Sequence, residues 1–324
     1  MTILRDEDAL LKRVETVFSA RDGGAVRLGI GDDAALLTPR KGFEIVLTCD
    51  WFLQGSHFLL DRHPADAVGW KSLSRAASDI AGLGAEPRCF LLSLALPVER
   101  TGEWLDGFLR GLRRASRKLR CPLAGGDTTR SEEILISITV VGEVPVGRAV
   151  LRSGAKPGEQ LFVSGTLGEA DLGLRQLLKR RGLARPANAA LRKHLYPEAR
   201  IALGQWLRKN RLATAMMDLS DGLSTDLPRL CGASGVGAHL HAEWFPRSAR
   251  TDSADALQLA LHGGDEYELL FTVKPRDVRR LGNSFEGLRL TRIGEISAEK
   301  KIVLEKEGKA QALVSGGWDP FRKP

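Results

Sequence analysis

The chain has 324 residues, 43% hydrophobic and 27% charged, with 35 glycines. That length holds two domains of ordinary size, and the composition excludes a disordered or fibrous chain. A net charge of +8 suits anionic ligands, either nucleotides or nucleic acid.

No dense basic block with interleaved aromatics is present. The run from Arg110 to Arg120 has helical spacing and reads as a solvated helix face, so we expect no nucleic-acid partner. The cysteines Cys49, Cys89, Cys121 and Cys231 form no C-x-x-C pair and have no zinc-like neighbours, which fits free thiols in a reducing cytosol. The start, Met1-Thr2-Ile3-Leu4-Arg5-Asp6, is charged and unlike a signal peptide. The longest apolar run, near Phe90–Val98, is too short to span a bilayer. A soluble cytoplasmic protein without membrane attachment is expected.

In chain order, Leu10, Leu11, Val14, Val17 and Phe18 fall at helical spacing within residues 6–20. Asp32-Asp33 follows two glycines. Residues 44–50 form a β-branched run ending on Asp50. Pro64 opens a helix reaching Gly82-Leu83-Gly84, with Asp79 among small residues; its ordinary partner would be Arg75 at i−4. A strand from Arg88 to Leu96 and a helix from about Thr101 to Leu119 come next. Leu123-Ala124 then reads as a strand end before Gly125-Gly126-Asp127, and Ile134–Val141 as another strand.

Glycine, proline and basic residues around 147–158 mark a boundary, giving domains 1–147 and 148–324. The second half reads as a strand (160–164), a helix (169–179), a loop-rich connection (186–197) and a helix (198–209). Ala215-Met216-Met217 then runs into Asp218-Leu219-Ser220-Asp221-Gly222 and a helix carrying Leu223, Leu227 and Leu230. A strand (235–240), a helix (248–261) and an acidic glycine turn at 262–268 precede the last strands.

Asp33, Asp50, Asp79 and Asp127 in the first half, with Asp218, Asp221 and Asp226 in the second, repeat one theme: a carboxylate beside small residues, mostly at apparent strand ends. Carboxylates cannot hold a phosphate, but they can hold Mg²⁺, which does. Oxygen donors without His or Cys clusters favour Mg²⁺ over zinc. There is no G-x-x-x-x-G-K-[ST] loop and no kinase H-R-D or D-F-G set, so a nucleotide would be held by another fold. Arg152 at the boundary is a candidate phosphate contact.

Taken in order, Gly31-Asp32-Asp33, Thr48-Cys49-Asp50 with His57-Phe58, Ser78-Asp79, Gly125-Gly126-Asp127-Thr128-Thr129-Arg130, Arg152-Ser153-Gly154-Ala155, Asp218-Leu219-Ser220-Asp221-Gly222 and Gly317-Trp318-Asp319 resemble the thiamine-monophosphate kinases. These belong to the aminoimidazole-ribonucleotide-synthetase-like ATP-binding superfamily. The resemblance implies a two-domain α/β (α+β) fold with mixed sheets and helices packed outside, and a homodimer through the N-terminal domains. It implies that ATP and thiamine monophosphate give ADP and thiamine diphosphate, the last step of thiamine diphosphate biosynthesis, with several Mg²⁺ ions.

By the match, Asp33, Asp50, Asp79, Asp127, Asp218 and Asp221 are Mg²⁺ ligands, with Thr48 and Cys49 contributing. Gly126, Asp127, Arg152 and Ser220 face ATP. His57, Trp318 and either Asp265 or Glu266 face the substrate. The family turn usually reads Gly-Gly-Glu-Asp, whereas here it is Gly263-Gly264-Asp265-Glu266, with the acids exchanged, so both remain candidates. Cys49 stands where small or hydroxyl residues are common, which favours its backbone carbonyl as the donor. Two alternatives stay open: another ATP-dependent enzyme of the superfamily, and a non-catalytic nucleotide binder.

Overall fold

The computed structural model describes residues 7–18, 25–30, 34–248 and 253–321. Asp32 and Asp33 lie outside the described residues. In the first half the elements are α1 (Glu7–Phe18), β1 (Val26–Leu28), β2 (Leu36–Leu37), β3 (Phe43–Leu53), α2 (Ala65–Gly82), β4 (Glu86–Leu96), α3 (Glu103–Leu119), β5 (Leu123–Arg130) and β6 (Leu135–Pro145). The second half opens with β7 (Gln160–Ser164), α4 (Glu169–Leu178), α5 (Ala189–Leu195), α6 (Ile201–Lys209), β8 (Ala213–Asp218), α7 (Leu223–Ser234) and β9 (Gly237–His241). It closes with α8 (Ser253–His262), β10 (Leu269–Val273), α9 (Val278–Leu281), β11 (Ser284–Phe285), β12 (Leu288–Ser297), β13 (Ile302–Lys306) and β14 (Lys309–Ala312).

β3, β6, β4 and β5 form a four-stranded mixed sheet in that order. Strands alternate faces, so Val46, Thr48, Asp50 and Phe52 of β3 point to one side and Ile45, Leu47, Cys49 and Trp51 to the other. Val46 and Phe52 join the first core, with Leu73 and Ile80 of α2 and Phe108 and Leu112 of α3. Among the described residues no helix lies over the opposite face: Ile45, Leu47, Trp51 and Leu91 are exposed, Leu47 by 67%.

The larger sheet follows the order β14-β13-β9-β12-β7-β10-β8, with β11 added beside β12. β13 pairs parallel to β9. Its core gathers Val163, Met217, Leu240 and Leu270 with Leu227 and Leu230 of α7. A third cluster joins the halves, setting Ala81 of α2 with Phe162, Leu207, Met216 and Phe271. No helix among the described residues is long and apolar enough to cross a membrane.

Two carboxylates expected at strand ends are inside strands. β3 continues three residues past Asp50, which pairs with Ile138, and β5 runs through Gly125-Gly126-Asp127 to Arg130. A Cβ on Gly126 would stand 1.8 Å from the Leu92 carbonyl oxygen, so glycine is there to let β5 lie against β4. The connection 186–197 contains a helix, α5, capped by the Asn188 side chain accepting from the Leu191 N–H at 3.0 Å. Of the helix expected over 248–261, Ser248 itself is not helical and the described part runs Ser253–His262.

Candidate active site

α2 is the element on which the site is built. It opens after Pro64 with Asp66 in its first turn and ends at Gly82, before Gly84 turns the chain at φ +65°. Lys71, Arg75 and Asp79 recur at i, i+4 and i+8, which places them on one helix face. Gly82 lets the end of α2 meet β8 closely: its Cβ would lie 3.2 Å from the Asp218 backbone nitrogen. Asp79 and Asp218, from different halves of the chain, are thereby brought together.

Thr48 donates its hydroxyl to Asp79 Oδ2, and Arg75 Nε donates to Asp50 Oδ2 at 3.4 Å. Arg75 thus pairs with Asp50 and not with Asp79, the expected i+4 partner. Burial, together with the Asp50 charge, pushes the Asp79 carboxyl up, against the Thr48 hydroxyl and Arg152. Asp218, 4% exposed, is pushed up to about 8 by burial and then by Asp79, Asp226 and Asp50. Buried carboxylates that raise one another are short of positive charge, and their donors are all oxygen. That set fits a hard divalent cation such as Mg²⁺. Thr48, Asp79, Asp218, Arg152 and Met217 line a cleft of about 480 Å³. Arg152 is held at its rim by Ser234, whose Oγ donates to the Arg152 carbonyl at 2.6 Å.

Asp221 and Asp226 take a different arrangement. Asp226 is fully buried and accepts from the Ser220 and Asp221 backbone N–H groups at 3.1 and 3.0 Å, which shapes the turn. Arg229 donates to Asp221 at 2.6 Å and to Asp226 at 2.7 Å. Trp318 is docked on this turn by its backbone N–H, which donates to the Asp221 carbonyl at 2.8 Å, and the residue is 49% exposed.

The exchanged acids part company. Asp265 accepts from Lys71 Nζ at 2.6 Å and from the Tyr267 hydroxyl at 2.6 Å. Although burial works the other way, Lys71, His194 and Arg75 hold its carboxyl well below the usual range. Glu266 points into the second half, accepting from the Ala170 N–H at 2.9 Å with Lys193 at 3.0 Å. Asp265 and Tyr267 both have positive φ, 63° and 51°, and this costly backbone turns alternate side chains to opposite environments. His57 accepts from the Leu53 N–H at 3.1 Å, and its ring is held neutral, lowered to about 4 by burial and then by Arg75 and Lys71.

Three residues stand apart within one chain. Cys49 points to the opposite sheet face, with Sγ 3.3 Å from Ser137 Oγ. Gly126 and Asp127 lie on β5, three strands from β3 and so about 14 Å from it at the usual strand spacing. Lys71, Arg75, Lys193 and His194 were missed as site residues. The i, i+4, i+8 spacing with Asp79 marked the first two; Lys193 and His194 sit on the unrecognised α5.

Residues 31–144 match the AIR synthase related protein N-terminal domain and residues 156–307 the C-terminal domain, so the chain belongs to the AIR synthase related family. Within it, the chain belongs with the thiamine-monophosphate kinases. It is 37% identical over 308 residues to that of Salmonella typhimurium, covering 92% of this chain and 93% of the relative. It is 30% identical over 311 residues to that of Bacillus subtilis, covering 92% and 94%. The solved thiamine-monophosphate kinase of Stenotrophomonas maltophilia superposes with a TM-score of 0.82 at 37% identity, covering 94% of this chain and 98% of that one. A complex of AaThiL with AMPPCP and TMP superposes at 0.77 with 31% identity, covering 99% and 100%. Hydrogenase maturation protein HypE in complex with ATP shares the fold, at TM-score 0.76 and 19% identity.

Proposed function

We propose that the protein phosphorylates thiamine monophosphate with ATP, giving thiamine diphosphate and ADP, as the last step of thiamine diphosphate biosynthesis in the cytoplasm. The observation that carries this reading is the cluster of Asp50, Asp79 and Asp218, closed between the two halves of the chain beside Arg152. The complex of a relative with AMPPCP and TMP supports both substrates.

The acceptor is a phosphate monoester with a second pKa of about 6, already a dianion at neutral pH. It needs no general base, and the barrier is its approach to the γ-phosphate, another anion. Mg²⁺ bound by these carboxylates would supply charge neutralisation between the two anions. Asp50, Asp79, Asp218 and Asp221 would hold it with Thr48, the Cys49 carbonyl, Asp33 and Asp127. Arg152, Gly126, Asp127 and Ser220 would bind ATP. Asp265, anionic beside Lys71, faces the cationic thiazolium ring, His57 lines the approach and Trp318 covers the ring face. Glu266, turned into the interior, has a packing role. The two domains, 1–147 and 148–324, meet along α2.

The active form is a homodimer through the N-terminal sheets. Ile45, Leu47, Trp51 and Leu91 form an exposed apolar face. Cys49 and Asp127 lie on that face, so both would meet a partner's sheet packed there.

The test compares ADP release from Mg-ATP with thiamine monophosphate, free thiamine and no acceptor, with products identified. Thiamine diphosphate made from the monophosphate alone, and lost in Asp50→Asn, supports the reading. ADP release without that product assigns the ATP site to another reaction, and no turnover under any condition leaves a nucleotide binder.

A further inference from the structure

The second half carries a cluster of metal-binding side chains far along the sheet from the carboxylate cleft. β9 is an interior strand, with Ala238 and Leu240 buried in the core and His239 and His241 on the opposite face. β13 lies parallel beside it and sets Glu305 level with His241. One face of two adjacent strands thus presents two imidazoles and a carboxylate.

The three groups converge. His239 Nε2 is 3.1 Å from Glu305 Oε2, and His241 Nδ1 is 3.8 Å from the same oxygen. One donor atom from each residue lies within 4.8 Å of the others. In a tetrahedral zinc site with bonds of about 2.0–2.2 Å, neighbouring donors stand roughly 3.3–3.5 Å apart, so small rotations close the set. His239 Nε2 is buried and makes no hydrogen bond, despite the short approach to the carboxylate. A cross-strand hydrogen bond would have satisfied it; a shared ion does so without that alignment.

The rings are also held in place. Trp244 stacks on His241 at 3.9 Å between centroids and Arg292 lies 4.7 Å over Trp244. Such supporting contacts fix the orientation of ligating rings. Glu295 stands opposite His239 on β12 and is paired with Arg292 at 3.2 Å.

We propose that His239, His241 and Glu305 bind one borderline divalent transition-metal ion, Zn²⁺ being the representative, which clamps the β13–β14 hairpin onto β9. Imidazole with a single carboxylate selects Zn²⁺, Ni²⁺ or Co²⁺ over Mg²⁺. The site is therefore distinct in chemistry from the all-oxygen cleft, and the proposal does not depend on the reaction above.

The test is a calorimetric titration of the full chain, freed of metal by chelation, with Zn²⁺ at saturating Mg²⁺. About one Zn²⁺ per chain is expected with a Kd in the micromolar range or tighter, together with a rise in Tm. Binding and the rise in Tm are lost in a His239→Gln/His241→Gln double variant and weakened about tenfold or more in Glu305→Gln. Circular dichroism and Mg-ATP turnover of both variants check that the fold is retained; all three side chains are partly exposed, so the substitutions leave the core intact. Zinc binding unchanged in the double variant, or no zinc uptake by the parent protein at micromolar concentration, overturns the proposal.

Discussion

Replacing Lys71 with methionine keeps the side chain's length and removes its charge. Lys71 is 1% exposed, with Nζ 2.6 Å from Asp265 Oδ2. Breaking a buried ion pair from one side costs about 3–5 kcal/mol, because the other charge is left uncompensated. Two features lower that figure here. The Asp265 side chain is 32% exposed and keeps the Tyr267 hydroxyl, and methionine carries none of the desolvation penalty that lowers the lysine's own pKa. A cost of about 2 kcal/mol follows, or a Tm lower by roughly 3 °C for a chain of 324 residues. Urea unfolding of Lys71→Met, Asp265→Asn and the double variant, without substrate, gives the coupling directly, expected at about 2 kcal/mol. The same substitution should raise KM for the monophosphate more than KM for ATP, since Asp265 loses the contact that orients it. A coupling below about 0.5 kcal/mol, the usual additivity error, would show that the pair neither stabilises nor orients Asp265.

Asp218→Asn should abolish turnover while stabilising the metal-free protein at pH 8 by more than ~1 kcal/mol. The raised carboxyl binds its proton more tightly folded than unfolded, so above the ordinary carboxylate range its ionisation costs stability, and asparagine removes that cost; thermal melts with and without Mg²⁺ at pH 6 and 8 decide it. His63, lowered to about 4 by burial and then by Lys71, lies 3.1 Å from His194 across the two halves. Between pH 6.5 and 4 the unfolded chain takes up its proton and the folded chain does not, so stability falls as pH drops there by up to ~3 kcal/mol; urea midpoints at pH 7 and 5 should separate in the parent and lie closer together in His63→Asn, with His57 and His194 keeping part of the separation. Trp318→Ala should raise KM for the monophosphate about 2–30-fold, as a cation–π contact of ~0.5–2 kcal/mol implies, with ATP KM little changed; steady-state kinetics with each substrate varied reads this. Leu47→Glu together with Trp51→Glu should yield monomers by light scattering, and a dimer of parent strength would remove the β3 face from the interface.

The sequence alone determined which residue types were available and most of the segments that formed helices and strands, α5 being a helix it did not mark. The oxygen-only donor set, the missing P-loop and the polar stretch after Met217 were all legible, because side-chain chemistry and local backbone preference act over a few residues. The helical face of Lys71, Arg75 and Asp79 was present in the spacing as well, though only Asp79 stood out as a candidate. Where each strand stopped was less legible. Glycine beside aspartate reads as a turn, but on β5 it marks close packing against Leu92, a partner thirty-four residues away in the chain.

Tertiary structure decided everything that depends on distance between segments. It drew Asp79 and Asp218 together through the small contact at Gly82. It sent Arg75 to Asp50, since β3 lies beside that helix face and leaves Asp79 to Thr48. The positive-φ turn at Asp265 and Tyr267 put Asp265 against Lys71 and Glu266 against Lys193, although composition made the two acids equivalent. The pairing of β9 with β13 assembled His239, His241 and Glu305 from segments more than sixty residues apart. Local propensity acts within a few residues, whereas a site is defined by which faces of distant elements the core forces to meet.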